Sequence, residues 1–420
     1  MKNLSGIDKK SLDPFAALRI KDFVLFMITR FFLTLGIQMQ SVIVGWQVYE
    51  HTKDVLALGM IGLAEAIPFI ITSLFSGHVA DTVNRKKIIL VSVSLLLIST
   101  TALLYFSLNN GEFIQANGTL PIYLVIGFIG IVRGFAAAAT MPFMSQLLPR
   151  ELYANAATWN SSIWHTGAVI GPAIAGIICW YSFPAAYVVN LIFIGIAIFA
   201  CALIASRPVP KKEKKETLKE SLYEGLKFVF NHQLLLAAIS LDLFAVLFGG
   251  AVAMLPAFAD EVLFAGPIEL GFLRAAPAIG AIVTAIILAY KPPGKKAGMN
   301  LMVNVALFGV ATILFALSTN FYLSLFLLAL TGAFDNVSVV VRHTVMQLST
   351  PDHMRGRVSA INSIFIGSSN EIGAFESGLA ASLMGLQYSV VFGGIMTIVV
   401  VIFTASLAPK LRKLDLESIQ

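Results

Sequence analysis

Apolar stretches of about 20 residues recur along nearly the whole sequence, separated by short polar segments. A helix of that length crosses the hydrocarbon core of a bilayer. Twelve such stretches can be recognised, at residues 23–45, 55–76, 88–107, 120–147, 157–180, 185–205, 234–257, 268–290, 301–317, 321–345, 358–381 and 388–407. The pattern therefore predicts an all-α membrane protein with twelve transmembrane helices.

The composition agrees with a membrane protein and excludes an ordinary soluble domain. Hydrophobic residues make up 57% of the chain and charged residues 12%, whereas about a quarter of a soluble protein is charged. Cys179 and Cys201 both fall inside predicted spans, so we expect neither a disulfide framework nor a metal site. Residues 1–22 are charged, and we expect no cleaved signal peptide. No phosphate loop or nucleophile–base pair stands out, so we expect neither enzymatic activity nor a cofactor.

Basic residues lie mainly at one end of the predicted helices. Of the 29 lysines and arginines, 24 fall in the two tails or in the even-numbered loops, and only Lys53 falls on the other side. Basic residues are enriched in cytoplasmic loops, so both termini are expected in the cytoplasm. Because the bases sit at helix ends, the net charge of +6 indicates no nucleic-acid partner.

One long polar segment divides the spans into six and six. Residues 207–232 contain two prolines, a run rich in lysine and glutamate, and then apolar residues at helical spacing. This composition predicts a cytoplasmic linker with a short surface helix. The domains are then residues 1–206 and 233–420, each a six-helix bundle. A shift of 202 residues pairs Asn160 with Asn362 and Gly171 with Gly373, which indicates a duplicated unit.

The loop between the second and third spans combines a glycine, an acid and three bases. It reads Gly77-His-Val-Ala-Asp81-Thr-Val-Asn-Arg85-Lys-Lys. We expect Gly77 to let two helices approach closely, and Asp81 to cap a helix or to pair with Arg85. The pattern resembles the loop signature of the major facilitator superfamily, which implies a gating loop. Without that resemblance it predicts only a turn at a membrane surface.

The fifth span carries small residues along one face, at Gly167, Gly171 and Gly176, with Pro172 among them. Small residues four apart allow close helix packing, and the proline removes a backbone hydrogen bond and permits a bend. The run is similar to an element of the antiporter branch of the superfamily, which implies export. It departs from that element at Ala175, where the family often has glycine. Ordinary small-residue packing is the alternative interpretation.

The strongest local likeness lies in the tenth and eleventh spans. It comprises Asp335 to Arg342, Gln347, residues 350–357 and Ser369 to Gly373. These residues resemble the bacterial drug:proton antiporter subgroup that contains the enterobactin and macrolide exporters. The resemblance extends over nearly the whole chain. It implies two six-helix bundles in a bacterial inner (plasma) membrane, with the substrate bound between them near the midplane.

Ionisable residues inside the spans are the candidates for the mechanism, because a charge in hydrocarbon is costly and usually faces a partner or a water-filled cavity. In the family fold the first, fourth, seventh and tenth helices line the central cavity. Those helices contain Arg30, Arg133, Asp242 and Asp335. For each of these residues, an inert ion pair between helices is the alternative.

A carboxylate in a partly dry cavity holds a proton more readily than one in water, so it can couple transport to protons. The candidates for this role are Asp242, Asp335 and Glu371. The candidates for the substrate cavity are Arg30, Gln38, Arg133, Glu65 and Glu376. Proton binding would neutralise a buried charge and shift the inward–outward equilibrium. The arginines would attract an anionic substrate or keep the acids charged.

The sequence thus predicts an exporter of small amphipathic compounds, either siderophores or drug-like molecules, driven by proton antiport. Its expected partners are the substrate, protons and the lipid bilayer, and a monomer without metal or nucleic acid is expected. An importer or uniporter is an alternative that would need no titrating acid. A receptor of the same fold that transports nothing is another, and it would tolerate loss of Asp81.

Overall fold

The structure is a computed structural model that describes residues 13–208, 218–291, 293–351 and 354–416. The N-terminal segment 1–12 and the charged run of the predicted linker, residues 209–217, lie outside the described residues. Within the described residues all regular secondary structure is helical, which confirms the all-α prediction.

Twelve long helices follow one another along the chain. They are α1 Lys21–Thr52, α2 Val55–Thr82, α3 Arg85–Ser107, α4 Leu120–Gln146, α5 Tyr153–Tyr181, α6 Phe183–Leu203, α7 Gln233–Phe248, α8 Pro267–Tyr290, α9 Ala297–Leu317, α10 Phe321–Ser349, α11 Arg355–Met384 and α12 Leu386–Leu407. Shorter helical pieces lie at Ala17–Arg19, Asn109–Gly111, Glu112–Asn117, Arg150–Leu152, Leu218–Asn231, Gly250–Met254, Leu255–Ala257, Phe258–Val262 and Pro409–Arg412. Over the described residues, eleven of the long helices are apolar enough to cross a membrane.

The remaining long helix, α11, has 30 residues but a more polar sequence. Its polar side chains include Asn362, Ser369 and Ser377, and all three are buried. Their burial follows from the position of α11, which packs along α2 and α7. Helix α11 therefore corresponds to the predicted eleventh span, and it places its polar residues against other helices.

The predicted end of the second span is wrong. The prediction ended it at residue 76, but α2 continues to Thr82 and α3 begins at Arg85. The turn is therefore only Val83 and Asn84, and the motif from Gly77 to Asp81 lies within the helix. Polar residues near the membrane surface do not end a helix unless the backbone is interrupted, and nothing in this stretch interrupts it.

The seventh span is also less regular than predicted. Helix α7 ends at Phe248, where Gly249 and Gly250 follow, and the chain continues as 3-10 and π-helical turns to Val262. A glycine pair weakens a helix, and Gly250 also packs closely on α11, where its Cβ would lie 2.8 Å from the Gly373 carbonyl oxygen. The regular α-helix thus ends at the point where the chain packs closely on α11.

Helices α1–α6 pack with one another to form a first half, and α7–α12 pack together to form a second half. Successive helices run in alternating directions, so both ends of the described chain lie at one face, here called the terminal face. Hydrogen bonds from Asn84 to Ser206 and from Arg207 to Asp22 join segments at this face. The other face, here called the opposite face, contains the turns that follow the odd-numbered helices.

The two halves meet through α2 with α11 and through α5 with α8. Glycines make both contacts close. A Cβ on Gly378 of α11 would lie 2.6 Å from the Cα of Gly59 in α2. A Cβ on Gly176 of α5 would lie 3.0 Å from the Cα of Gly271 in α8. All four glycines lie nearer the opposite face than the terminal face, so the halves touch backbone to backbone in that part of the molecule.

The hydrophobic core has two parts. The larger cluster combines residues of the first half with residues of the second half near the opposite face, such as Met254 and Phe315. The smaller cluster belongs to the second half and the linker helix, and it includes Val229, Leu301 and Leu411 near the terminal face. The shared cluster reinforces the contact between the halves on the opposite-face side.

The helix predicted in the linker is present at Leu218–Asn231. It packs against the beginning of α11, where Glu224 forms an ion pair with Arg357 at 2.5 Å. Leu226 and Phe230, four residues apart, are exposed. The linker helix is therefore fastened to the second half at the terminal face and leaves an apolar pair uncovered.

The glycine contact between α2 and α11 generates a stability prediction. Gly378→Leu places a side chain where the backbone of Gly59 lies, so we expect a loss of about 1–3 kcal/mol of unfolding free energy from overpacking. The matched control is Gly195→Leu in α6, because nothing lies within 4 Å of its Cβ position. Thermal unfolding of the purified variants in detergent measures both. Equal melting of the two variants would contradict the close contact.

Candidate functional site

The centre of the molecule holds three charged side chains from three helices. Arg133 lies in α4, Glu65 in α2 and Glu371 in α11. The guanidinium of Arg133 forms an ion pair with Glu65 and donates a hydrogen bond to Oε1 of Glu371 at 3.1 Å. Since Glu371 belongs to the second half and the other two to the first, this contact joins the halves near mid-span.

Two glycines bring these helices close enough for the contact. A Cβ on Gly62 of α2 would lie 2.7 Å from the Cβ of Ala374 in α11. A Cβ on Gly130 of α4 would lie 3.4 Å from the Cα of Glu65. Side chains larger than glycine at these positions would separate the helices and lengthen the ion pairs. The local sequence thus fixes the position of the charges through backbone contact.

Further groups surround the three charges. The guanidinium of Arg133 lies 5.8 Å from the centre of the Phe69 ring, within cation–π range. Arg274 of α8 is close enough to Glu371 for the two charges to interact. The side chains of Glu65 and Glu371 are only 13% and 20% exposed. Arg133, Arg274, Glu65 and Glu371 are hereafter called the central cluster, which has two positive and two negative charges.

Asp242 and Arg342 form a separate ion pair inside the second half. They lie in α7 and α10, and their side chains are 7% and 3% exposed. Asp242 is therefore found in an ion pair between helices, which was the alternative to a role in proton coupling. Removing one partner of a buried pair leaves an uncompensated charge, which makes the pair important for the packing of these two helices.

Asp335 lies in α10, two helical turns before Arg342 and thus on the same face of the helix. Within the described part of the chain, Asp335 makes no hydrogen bond or ion pair. Asn336 Nδ2 and Ser338 Oγ are buried and also lack a partner there. Helix α10 therefore carries several polar groups that the described side chains do not satisfy.

Arg30 of α1 lies apart from the central cluster. Its Nε donates a hydrogen bond to Oδ1 of Asn160 in α5 at 3.3 Å. Gln38, further along α1, packs against α5, where a Cβ on Gly171 would lie 2.8 Å from the Cβ of Gln38. These two candidates for the substrate cavity thus lie along the α1–α5 contact, and Gln38 is at its tightly packed part.

Glu376 does not join the central cluster either. It follows Glu371 by five residues in α11, which places it about 140° around the helix from Glu371. Its side chain is partly buried. The structure thus brings together Glu65, Arg133 and Glu371 from the predicted set, and separates Glu376 from them.

The motif at the end of α2 is only partly as expected. Arg85 Nη2 donates to Asp81 Oδ1 at 3.3 Å, as the sequence predicted. The cap of α3 comes from Asn84, whose Oδ1 accepts from the backbone N–H of Lys87 at 3.3 Å. The close helix contact expected at Gly77 is wrong for this structure, because nothing lies within 4 Å of its Cβ position. Gly77 has open space because α2 meets α11 nearer the opposite face.

The small residues of α5 pack on two different helices. A Cβ on Gly167 would lie 2.7 Å from Thr34 Cγ2 in α1, within the first half. Gly176 instead touches Gly271 of α8 in the second half. Helix α5 continues unbroken through Pro172. The predicted close-packing face therefore serves both the interior of the first half and the boundary between the halves.

Sequence reasoning missed a polar contact between the halves at the opposite face. Lys53 Nζ donates to Asp260 Oδ2 at 2.7 Å, and the Tyr49 hydroxyl donates to the neighbouring Glu261. Lys53 could have indicated this contact, since it is the only base assigned to that side, and a nearby acid was the natural partner. The predicted seventh span ended at residue 257, so Asp260 and Glu261 were not among the charged residues assigned to spans.

Metal-ligating side chains are scattered in the described part of the chain. No group of three or more histidine, cysteine, aspartate or glutamate residues is arranged there to hold a metal ion. Cys179 and Cys201 are buried as free thiols.

Known proteins match this chain over most of its length. The family model described as "Transmembrane secretion effector" matches residues 12–420. The multidrug efflux pump Tap of Mycolicibacterium fortuitum is 23% identical, covering 89% of this chain and 92% of that protein. The enterobactin exporter EntS of Shigella flexneri is 24% identical, with coverage of 85% and 84%. The staphyloferrin A transporter of Staphylococcus aureus is 25% identical, with coverage of 93% and 97%.

Solved structures share the same arrangement of helices. A POT family transporter in complex with 5-aminolevulinic acid gives a TM-score of 0.73 at 12% identity, covering 93% of this chain and 96% of the other. The xylose transporter XylE from E. coli gives 0.66 at 14% identity, with coverage of 97% and 100%. The chain therefore belongs to the Transmembrane secretion effector family of the major facilitator superfamily, whose members are multi-pass membrane transporters and not enzymes.

Proposed function

We propose that this protein is a secondary transporter that exports small amphipathic compounds, siderophores or drug-like molecules, by proton antiport. The observation that carries the proposal is Arg133, whose guanidinium contacts carboxylates from both halves. The named functions of the efflux pump Tap and the exporter EntS support export as the direction. The chemistry of the central cluster supports the part of the proposal in which protons drive transport.

In this proposal Glu371 is the coupling acid. A proton on Glu371 removes its charge and weakens its contact with Arg133, while Glu65 still holds Arg133 within the first half. The ion pair between the halves thus depends on one proton, and the halves can separate when it is bound. The membrane potential contributes about 2.3 kcal/mol for each charge moved through 100 mV, enough to bias such an equilibrium.

The moving bodies of this mechanism are the two bundles, residues 1–206 and 233–420, connected by the linker 207–232. Substrate binds between them near mid-span. Closure at the opposite face by the glycine contacts leaves substrate access from the terminal face. The gating loop with Gly77, Asp81 and Arg85 lies at that face and is proposed to change its contacts as the bundles move.

We also propose that the protein works as a monomer in a bacterial inner membrane with the terminal face in the cytoplasm. The distribution of lysine and arginine supports this orientation, because basic residues are concentrated at that face. Access from the terminal face then means that substrate is collected from the cytoplasm, in agreement with export.

The coupling role of Glu371 can be tested in liposomes with an imposed pH gradient and an internal pH reporter. Addition of siderophores, macrolides and dyes to the native protein should move protons in response to the transported compound. Glu371→Gln cannot change its charge, so we expect this substrate-dependent proton movement to be lost. Glu151→Gln, an exposed carboxylate at the terminal face, is the matched control and should behave as the native protein.

Two results would overturn parts of this proposal. Proton movement that survives in Glu371→Gln but disappears in Asp335→Asn would assign the coupling to Asp335. Substrate flux through the native protein without proton movement would replace antiport by facilitated diffusion, as in an importer or uniporter. Thermal unfolding of each variant separates loss of coupling from loss of folding.

Asp242 is proposed to act mainly through its ion pair with Arg342. Asp242→Asn leaves the Arg342 charge buried without a partner, and the expected loss of unfolding free energy is about 3–5 kcal/mol. The double variant Asp242→Asn/Arg342→Gln removes both charges and should recover part of this loss. Unfolding of the native protein and of these variants in detergent measures the changes in unfolding free energy. A stable Asp242→Asn protein that lacks proton movement would instead identify Asp242 as a coupling residue.

The orientation can be tested by cysteine labelling. Both native cysteines are buried, so replacing Cys179 and Cys201 by alanine should be tolerated and leaves no background. Single cysteines are then introduced at Glu112, which is exposed at the opposite face, and at Lys410, exposed at the terminal face. An impermeant maleimide added to spheroplasts should label the first variant and reach the second only after lysis. The reverse result would invert the proposed topology.

A further inference from the structure

Arg30 differs from the other arginines inside the helices. Arg133 contacts two carboxylates, Arg342 contacts Asp242, and Arg274 interacts with Glu371. Among the described residues, no carboxylate lies within ion-pair distance of Arg30, and its side-chain partner is the neutral amide of Asn160. Within the described part of the chain, the positive charge of Arg30 therefore has no ion-pair partner.

The depth of Arg30 makes this lack of compensation costly. It is nine residues from the start of α1, about 13 Å along the helix from the terminal face, which places it inside the membrane span. A cation at such a depth is rare unless it faces a partner or a water-filled cavity. Arg30 is only partly buried, and no acid among the described residues pairs with it, so its guanidinium is open to an external anion.

Trp164 marks an exposed part of the helix whose Asn160 binds Arg30. It follows Asn160 by one helical turn, on the face of α5 that carries Gly167 and Gly171 and packs against α1. Asn160, Gly167 and Gly171 on this face are buried, whereas Trp164 is 45% exposed. Tyr153, two helical turns before Asn160 on the same face, is exposed as well, so the described helices leave this face uncovered on both sides of Asn160.

A guanidinium and an exposed indole on adjacent helices form a site for a particular chemistry. The guanidinium binds a carboxylate or another oxyanion through paired hydrogen bonds. The indole provides a flat apolar surface for an aromatic or hydrocarbon body. We propose that Arg30 docks the acidic group of the exported compound and that Trp164 contacts its apolar part, so the substrates are acidic amphipathic molecules. This inference rests on the proposed export function and defines its substrate class.

The first test measures the charge around Trp164 without any assumed substrate. In the full chain in nanodiscs, Trp46, Trp159 and Trp180 are replaced by phenylalanine, so Trp164 is the sole tryptophan. Collisional quenching by iodide is compared with quenching by neutral acrylamide. Because Arg30 attracts anions, the ratio of iodide to acrylamide quenching should fall in Arg30→Gln and persist in Arg30→Lys. Arg19→Gln, which removes an exposed charge nearby, is the control and should leave the ratio unchanged.

The second test measures substrate class with a matched pair of probes, 2-naphthoxyacetic acid and its neutral amide. Both have the same aromatic body, and quenching of Trp164 reports their binding. We expect the acid to bind the protein with Arg30 about tenfold more tightly than the amide, which is 1.4 kcal/mol. In Arg30→Gln the acid should lose this advantage while affinity for the amide is unchanged.

Each outcome decides the inference. An unchanged iodide ratio in Arg30→Gln, or equal binding of acid and amide by the protein with Arg30, would overturn it. Neither measurement involves a pH gradient or flux across a membrane. Failure of the antiport proposal would therefore leave these results unaffected, and failure of Arg30 as a docking residue would leave proton coupling at Glu371 intact.

Discussion

The ion pairs of Arg133 set the geometry of the whole centre of this protein. A guanidinium inside the membrane span needs carboxylates close by, and here they come from both halves, Glu65 in α2 and Glu371 in α11. A charge enclosed by helices is costly when it has no partner of opposite charge, so the helices that bear these groups must stay aligned. If the halves separate, as in the proposed mechanism, the charge of Glu371 must be compensated in another way, and a bound proton would do so.

Close backbone packing makes that arrangement possible. Glycines at the α2–α11 and α5–α8 contacts let the halves approach until a Cβ would collide, and they do so nearer the opposite face. The polar contacts of Lys53 and Tyr49 with the end of the seventh span reinforce the same side. Close backbone packing near the opposite face and ion pairing at mid-span thus hold the halves together at different depths.

The charged residues divide into groups with different consequences. Asp242 and Arg342 satisfy each other within the second half, which makes them part of its packing. The central cluster has equal numbers of positive and negative charges but is shared between the halves, so separation of the halves would leave unpaired charges in each. Arg30 and Asp335 form no ion pair with any of the described side chains. Groups of the last kind are the ones available to a ligand.

The sequence by itself determined the membrane class, twelve helices, the division into six and six, and the identity of the charged residues inside spans. These features follow from hydrophobic runs and the cost of burying charge, which are local properties. Helix ends were harder, because α2 continues past Gly77 and the seventh span breaks at Gly249 for reasons of packing.

Only the tertiary structure decided which charges meet. Glu65 and Glu371 are far apart in sequence, and nothing in either segment specifies Arg133 as the common partner. The pairing depends on how closely α2, α4 and α11 approach, which glycines in all three helices control. For the same reason Asp242, Asp335 and Glu371 looked equivalent in sequence. The fold distinguishes them because ion pairing is set by distances between helices, which a linear pattern of residues does not contain.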